Sequence, residues 1–261
     1  MKEMFKELID YRHLLYVLTW RDIKIKYKQS IMGFIWAIFM PMLIVAAGIL
    51  VKKAFSLVSG KPMGMTDLAS VSVKSIPWAF FISSVRFATN SLTSNSNLVT
   101  KIYFPREVFP ISAVLANLFD FFIASVTLTI ILAITGIGIS LQILWLPIIF
   151  SLLVLLTIGL GMILACANLF FRDVKYIVEV IVTFAIFFTP VFYEASMFKN
   201  WEPILLLNPV GAILENINAV VVLQQPPSIF WLSYSAVWAI GGLLLCWNVF
   251  HRTEFKFSEN I

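Results

Sequence analysis

Apolar residues in this chain gather into runs long enough for a whole helix, separated by short polar stretches. A hydrocarbon core about 30 Å thick takes roughly 20 helical residues to cross. Windows of that kind lie at 31–51, 76–93, 109–136, 144–171, 174–193 and 229–250, so six spans are expected. A seventh window, 203–223, is interrupted by Asn208, Pro209, Glu215, Asn216 and Asn218. It reads as a re-entrant or interfacial piece, because broken apolar segments at membrane depth persist where they pack on protein or line a cavity. The stretch 194–228 is therefore expected to form a pair of short helices capping the outer mouth.

Ahead of the first span, Met4, Leu8, Tyr11, Leu15 and Leu18 recur at helical spacing, and Arg21, Lys24 and Lys28 form a basic row beyond them. This pattern fits an amphipathic helix in the membrane interface with its basic end near lipid headgroups. It fits equally a solvated basic flank that only sets topology. The connection 52–75, with its "SGKPMGM", looks irregular. The connection 137–143 is short and uncharged, which predicts a tight hairpin between the third and fourth spans.

Composition agrees with the pattern: of 261 residues 60% are hydrophobic and 13% charged, which excludes an ordinary soluble domain. An even number of spans puts both termini on one side, and Lys/Arg bias selects it. With the termini inside, the inner segments hold thirteen basic residues and the outer ones five: Lys52, Lys53, Lys61, Lys74 and Lys199. Cys166 and Cys246 fall inside spans and read as small apolar fillers. The basic N-terminal region leads into a full-length span with no small-residue cleavage site, unlike a cleavable signal.

Enzymatic chemistry finds little footing. There is no GxxxxGK[ST], HExxH or GxSxG pattern, and the two histidines, His13 and His251, lie near opposite ends of the chain, where they read as solvated interface residues. A transport path has more support. Ser83, Arg86, Asn90, Thr93 or Ser94, and Asn97 recur at steps of three and four and share one helix face, with Val85, Ala88 and Leu92 on the other. Arg86 falls near the middle of the second span, where a charge costs roughly 2.5 to 3.5 kcal/mol on insertion scales. Asp120, at similar depth in the third span with Asn117 one turn before it, is the expected partner. A role for Arg86 toward an anionic or hydroxyl-rich substrate is compatible with that pair. A proton- or sodium-coupled carrier would show more buried carboxylates than Asp120 and Glu179.

Several stretches then resemble one family: "LTWRDIKIKYKQSIMGFIWAIFMP", "NSNLVTKIYFPREVFP", "NLFFRDVKYIVEVIVTFAIFFTPVFY", "LNP" and "HRTEFKF". In this order they are similar to the permease subunit of polysaccharide-exporting ABC transporters, above all the O-antigen exporters, with teichoic acid and capsule exporters next and drug or lipid exporters more distant. The resemblance implies an all-α membrane protein, a single transmembrane domain over 1–261. It would comprise an interface helix in 1–30, spans one to five in 31–193, an outer gate in 194–228, and the sixth span with a cytoplasmic tail in 229–261.

It further implies a homodimer in the bacterial inner membrane, both termini cytoplasmic, working with two copies of a separate ATPase subunit. ATP and magnesium bind that partner, none binds this chain, and nucleic acid has no part. The cargo would be an undecaprenyl-pyrophosphate-linked glycan. The helix before the first span would shape the place where substrate enters, here Arg21, Asp22, Lys24, Lys26 and Tyr27. The family's coupling element corresponds to Lys101, Ile102, Tyr103, Phe104, Pro105, Arg106 and Glu107, with a second contact at Phe171, Arg172 and Asp173. Two prolines would stiffen that loop, and Tyr103 and Phe104 would be aromatic anchors for the partner's groove. Channel candidates are Ser83, Arg86, Asn90, Thr93 and Asp120.

Overall fold

The computed structural model describes residues 2–28, 35–59, 64–101, 104–134, 138 and 140–259. Ile102, Tyr103 and Lys61, named above, lie outside the described residues. Among those described the chain is all-helical: α1 Lys2–Asp10, α2 Arg12–Tyr27, α3 Ile35–Ser59, α4 Met65–Ser94, α5 Ser96–Lys101, α6 Val108–Ile134, α7 Leu146–Phe170, α8 Val174–Phe188, α9 Glu202–Leu206, α10 Pro209–Val221 and α11 Ile229–Thr253. Three 3-10 turns, Leu141–Trp145, Ala195–Trp201 and Glu254–Glu259, complete the order.

Five helical segments, in α3, α4, α6, α11 and Leu141–Phe170, are long and apolar enough to cross a membrane. The expected fifth span is the 15-residue α8, whose length of about 22 Å is less than the hydrocarbon thickness. Its stop is local: Thr189 takes extended angles (φ −113°, ψ 135°) because Pro190 crowds the helical conformation of the residue before it.

The expected irregular connection 52–75 is mostly helix. Helix α3 continues to Ser59, and α4 begins at Met65, well before the expected position 76. Polar residues hid this from a hydropathy reading because they are satisfied inside the protein. Lys52 Nζ lies 2.8 Å from Asp67 and 3.3 Å from Glu194. Lys74 Nζ lies 3.2 Å from Glu215 and donates to the Tyr193 carbonyl. Glu215 also accepts the Ala195 amide. Two of the five basic residues assigned to the outer face are thus turned inward onto the 193–215 segment.

Helix α4 is the axis of the fold. In its most apolar window 78% of residues are buried, and it packs on α3, α6, α7, α8 and α10. Trp78, Phe81, Val85 and Ala88 meet Val114, Ile149, Leu153 and Ile213 in the main core. Small residues bring the neighbours close: a Cβ on Gly161 would lie 2.7 Å from the Ala88 Cβ, and one on Gly159 only 3.0 Å from the Leu243 Cα. Such positions let helix backbones approach where lipid gives no hydrophobic drive for association.

The broken 203–223 window becomes α9 and α10. Asn208 caps α10, its Oδ1 accepting from the Val210 amide at 3.1 Å while its Nδ2 donates to Thr189, and Pro209 sits at the first helical position. Asn216 accepts the Ser228 amide at 2.7 Å. Asn208 and Asn216, two of the asparagines that broke the hydropathy pattern, are braces of this segment, and α10 is buried among α4, α7 and α11.

Lys74→Met leaves Glu215 without its charge partner, and loss of one half of a buried pair costs about 3–5 kcal/mol. Thermal unfolding in detergent is expected to show a clearly lowered midpoint for Lys74→Met and partial recovery for Lys74→Met with Glu215→Gln. Equal midpoints for parent and single variant would contradict the pairing.

Candidate functional site

Two polar clusters stand out, one beside α2 and one where the chain turns into α6. In the first, the last turns of α2 run alongside the start of α6. Asp22 accepts from Ser112 Oγ at 3.2 Å. Two turns further along α6, Lys26 Nζ reaches Asn117 Oδ1 and Asp120 Oδ2, both at 2.7 Å. The Tyr27 hydroxyl donates to the other Asp120 oxygen. Burial, the hydrogen bond to Asp120 and the charge of that carboxylate all push the Tyr27 phenol above its ordinary range. Arg21 pairs with Asp22 at 2.8 Å, and Lys24 lies exposed over the Trp20 ring.

These residues form one wall of a cavity of about 450 Å³ lined by Lys26, Tyr27, Ser83, Arg86, Asn117 and Asp120, with Trp36, Phe80 and Phe87 among its apolar residues. Lys26 Nζ also sits 4.4 Å from the centre of the Phe87 ring. The α4 face expected to be polar is open: Arg86 is partly exposed and Asn90 and Thr93 are exposed, whereas Val85, Ala88 and Leu92 are buried. Asn97, expected on the same helix, is exposed on α5 beyond the end of α4 at Ser94.

The expected Arg86–Asp120 pair is not formed. Arg86 Nη2 lies 2.7 Å from Glu179 Oε1 on α8 and donates to Thr183 Oγ1 at 3.3 Å. The depth argument failed because α4 starts eleven residues early, so Arg86 belongs to its second half, level with the first turns of α8. Asp120 is meanwhile held on both oxygens by α2. Arg86 Nε is buried without a hydrogen-bond partner among the described residues.

Asn168 is a brace that the sequence reading did not single out. Its Nδ2 donates to the Thr89 carbonyl at 3.0 Å and its Oδ1 accepts the Lys175 amide at 3.1 Å. It thereby ties α4, α7 and α8 at one point. A lone asparagine near a span end carries no distinguishing signal in sequence.

The second cluster corrects the reading of the 104–107 stretch. Phe104 is 7% exposed and packs on Phe109 with centroids 5.4 Å apart, within a core that includes Val99, Phe250 and Phe257. It anchors the loop to its own protein and offers no face to a partner. Arg106 and Glu107 do not pair with each other. The Arg106 amide donates to Glu254 Oε1 at 3.1 Å, and its guanidinium donates to the Glu254 and Val99 carbonyls and covers the Phe257 ring.

Glu107, 3% exposed, meets His251 Nδ1 at 3.4 Å, so His251 is no plain solvated residue. Burial, then the neighbouring Glu107 charge, raise the Glu254 carboxyl, opposed by Arg106 and His251. Pro105 is partly exposed, and Phe171, Arg172 and Asp173 lie exposed at the turn between α7 and α8. Lys101 ends α5.

The sequence profile of the ABC-2 type transporter family matches residues 13–221. The "O-antigen export system permease protein RfbA" of Myxococcus xanthus is 29% identical over 268 residues, covering 100% of both chains. A Klebsiella pneumoniae protein of the same name is 29% identical over 254 residues, covering 94% of each.

The ion pairs differ in exposure, and that fixes a ranking. Lys26 and Asp120 side chains are 15% and 27% exposed, against 38% and 56% for Arg86 and Glu179. Asp120→Ala strands a mostly buried ammonium and is expected to lower the melting midpoint by roughly 4–8 °C. Glu179→Ala breaks a wet pair and is expected to stay within about 2 °C of the parent. Melting curves of both variants in one detergent check the order, and the reverse order would refute it.

Proposed function

The chain belongs to the ABC-2 type transporter family, and from that membership we propose that it is the permease of an exporter for an undecaprenyl-pyrophosphate-linked polysaccharide of O-antigen type. Family membership makes it a multi-pass transport subunit and brings an ABC ATPase as its partner. The observation that carries the cargo assignment is the end-to-end similarity to permeases named for O-antigen export.

In this reading α8, short as it is, makes the fifth of six crossings, and the single domain 1–261 keeps both termini on the cytoplasmic side of the bacterial inner membrane. The chain pairs with a second copy, and two ATPase subunits carry ATP and magnesium. The short helices of 194–228 form the outer gate, held by Lys52 and Lys74. The cavity beside α2 receives the pyrophosphate end of the cargo. Lys26 and Arg86 line it with positive charge, and a compact anion that engages them does so in competition with Asp120 and Glu179. Aromatic and apolar lining from Trp36, Phe80 and Phe87 suits the lipid and sugar that follow.

The ATPase bears on the loop around Pro105 and on Arg172 and Asp173, which are open to solvent. Because Arg106 is clamped to Glu254 just after α11 and Glu107 meets His251 in the last turn of α11, a push on this loop moves α6 and α11 together instead of being lost as slack.

Cells lacking the chain are expected to make the glycan and keep it inside, and the parent sequence restores surface polymer. Arg86→Ala and Lys26→Ala, each inserted normally, are expected to lower surface polymer roughly tenfold, the worth of one charged hydrogen bond. Undiminished surface polymer in the deletion strain, with no second exporter present, would end the assignment.

A further inference from the structure

We propose that Glu107, His251 and Glu254 form a binding site for one divalent transition-metal ion of the zinc type, which staples the C-terminal tail to the loop before α6. The three side chains come from three different element ends: the turn ahead of α6, the last turn of α11, and the first residue of the closing 3-10 turn. Each offers one ligand atom, and these atoms all lie within 4.8 Å of one another.

The two distances from the imidazole are those of ligands around an ion. His251 Nδ1 stands 3.4 Å from Glu107 Oε1 and 3.5 Å from Glu254 Oε2. Charge-assisted N–H to carboxylate bonds close to about 2.7–2.9 Å, and one ring nitrogen has one proton to share between two carboxylates. Ligands about 2.1 Å from a tetrahedral zinc ion stand about 3.4 Å from each other.

A second observation is independent of the spacing. Glu107 is 3% exposed, and its Oε2 has no hydrogen-bond partner among the described residues. A buried carboxylate left half unpartnered beside a second carboxylate needs positive charge. Arg106 does not supply it to Glu107, since its guanidinium donates to the Glu254 and Val99 carbonyls.

One imidazole with two carboxylates suits zinc and its first-row neighbours, whereas calcium and magnesium favour all-oxygen sets. The His251 side chain is 46% exposed, which leaves an access route and room for water as the remaining ligand. The proposal stands whatever cargo the protein carries.

The test uses the full-length chain purified in detergent and stripped with a chelator, titrated with Co(II) as a coloured probe and then with Zn(II). One equivalent of Co(II) is expected to give visible ligand-field absorption that Zn(II) abolishes, and Zn(II) is expected to raise the melting midpoint. His251→Ala, at a half-exposed position, is expected to match the parent's elution while weakening binding roughly tenfold or more, as is Glu254→Gln. His13→Ala, which removes the other histidine, should bind as the parent does. Absence of saturable Co(II) uptake by the parent, or full affinity in His251→Ala, would overturn the site.

Discussion

A charge inside a low-dielectric protein has to find its opposite, and for the most buried charges described here the opposite lies on another element. Lys74 meets Glu215 across 141 residues of sequence, Lys26 meets Asp120 across 94, and Lys52 meets Glu194 across 142. Apolar packing is permissive about register, because one aliphatic surface serves nearly as well as another. A buried ammonium is not permissive, since moving it a few ångströms strands it. The pairs therefore select one arrangement from the many that six or seven greasy helices could adopt.

They also divide the molecule into two fastened ends joined by α4. At the end where α4 begins, Lys52 and Lys74 hold the segment containing Tyr193, Glu194 and Glu215. At the end where α4 finishes, the chain passes through α5 into the corner made by Phe104, Arg106 and Glu107. Between them α4 runs 30 residues, about 45 Å, with most of its surface packed. A helix so enclosed has little freedom to bend independently of α6 and α7, so displacement at one end is carried to its neighbours along the whole length.

Most of the fold could be read from the sequence, because spans are set by a strong, local signal. The expected windows agree with α3, α4, α6, α7, α8 and α11 to within a few residues at most ends. The large misses share one cause. Hydropathy counts Lys52, Asp67 and Lys74 as loop residues, yet internal pairing lets them stand in helices. The same blindness misplaced the partner of Arg86: depth was inferred from a helix start that pairing had shifted. In the candidate site, the polar face of α4 was legible because it repeats with the helix. Asn168, Glu254 and the inward turn of Phe104 were not, since each depends on contacts between segments with no periodic relation.

The tail shows why such contacts matter to any account of function. Residues after α11 look like an afterthought in sequence, short and mixed in polarity. Yet Phe257 is fully buried against Phe250 and Phe170, and Glu254 satisfies both the backbone and the side chain of Arg106. Without it the Arg106 amide and guanidinium would both lose a partner at a corner otherwise closed by aromatic rings. An unpaired group at such a corner costs about 1–3 kcal/mol, comparable to much of a domain's net stability. The loop before α6 is therefore rigid only as half of a joint whose other half is the end of the chain, and force applied there reaches α6 and α11 together.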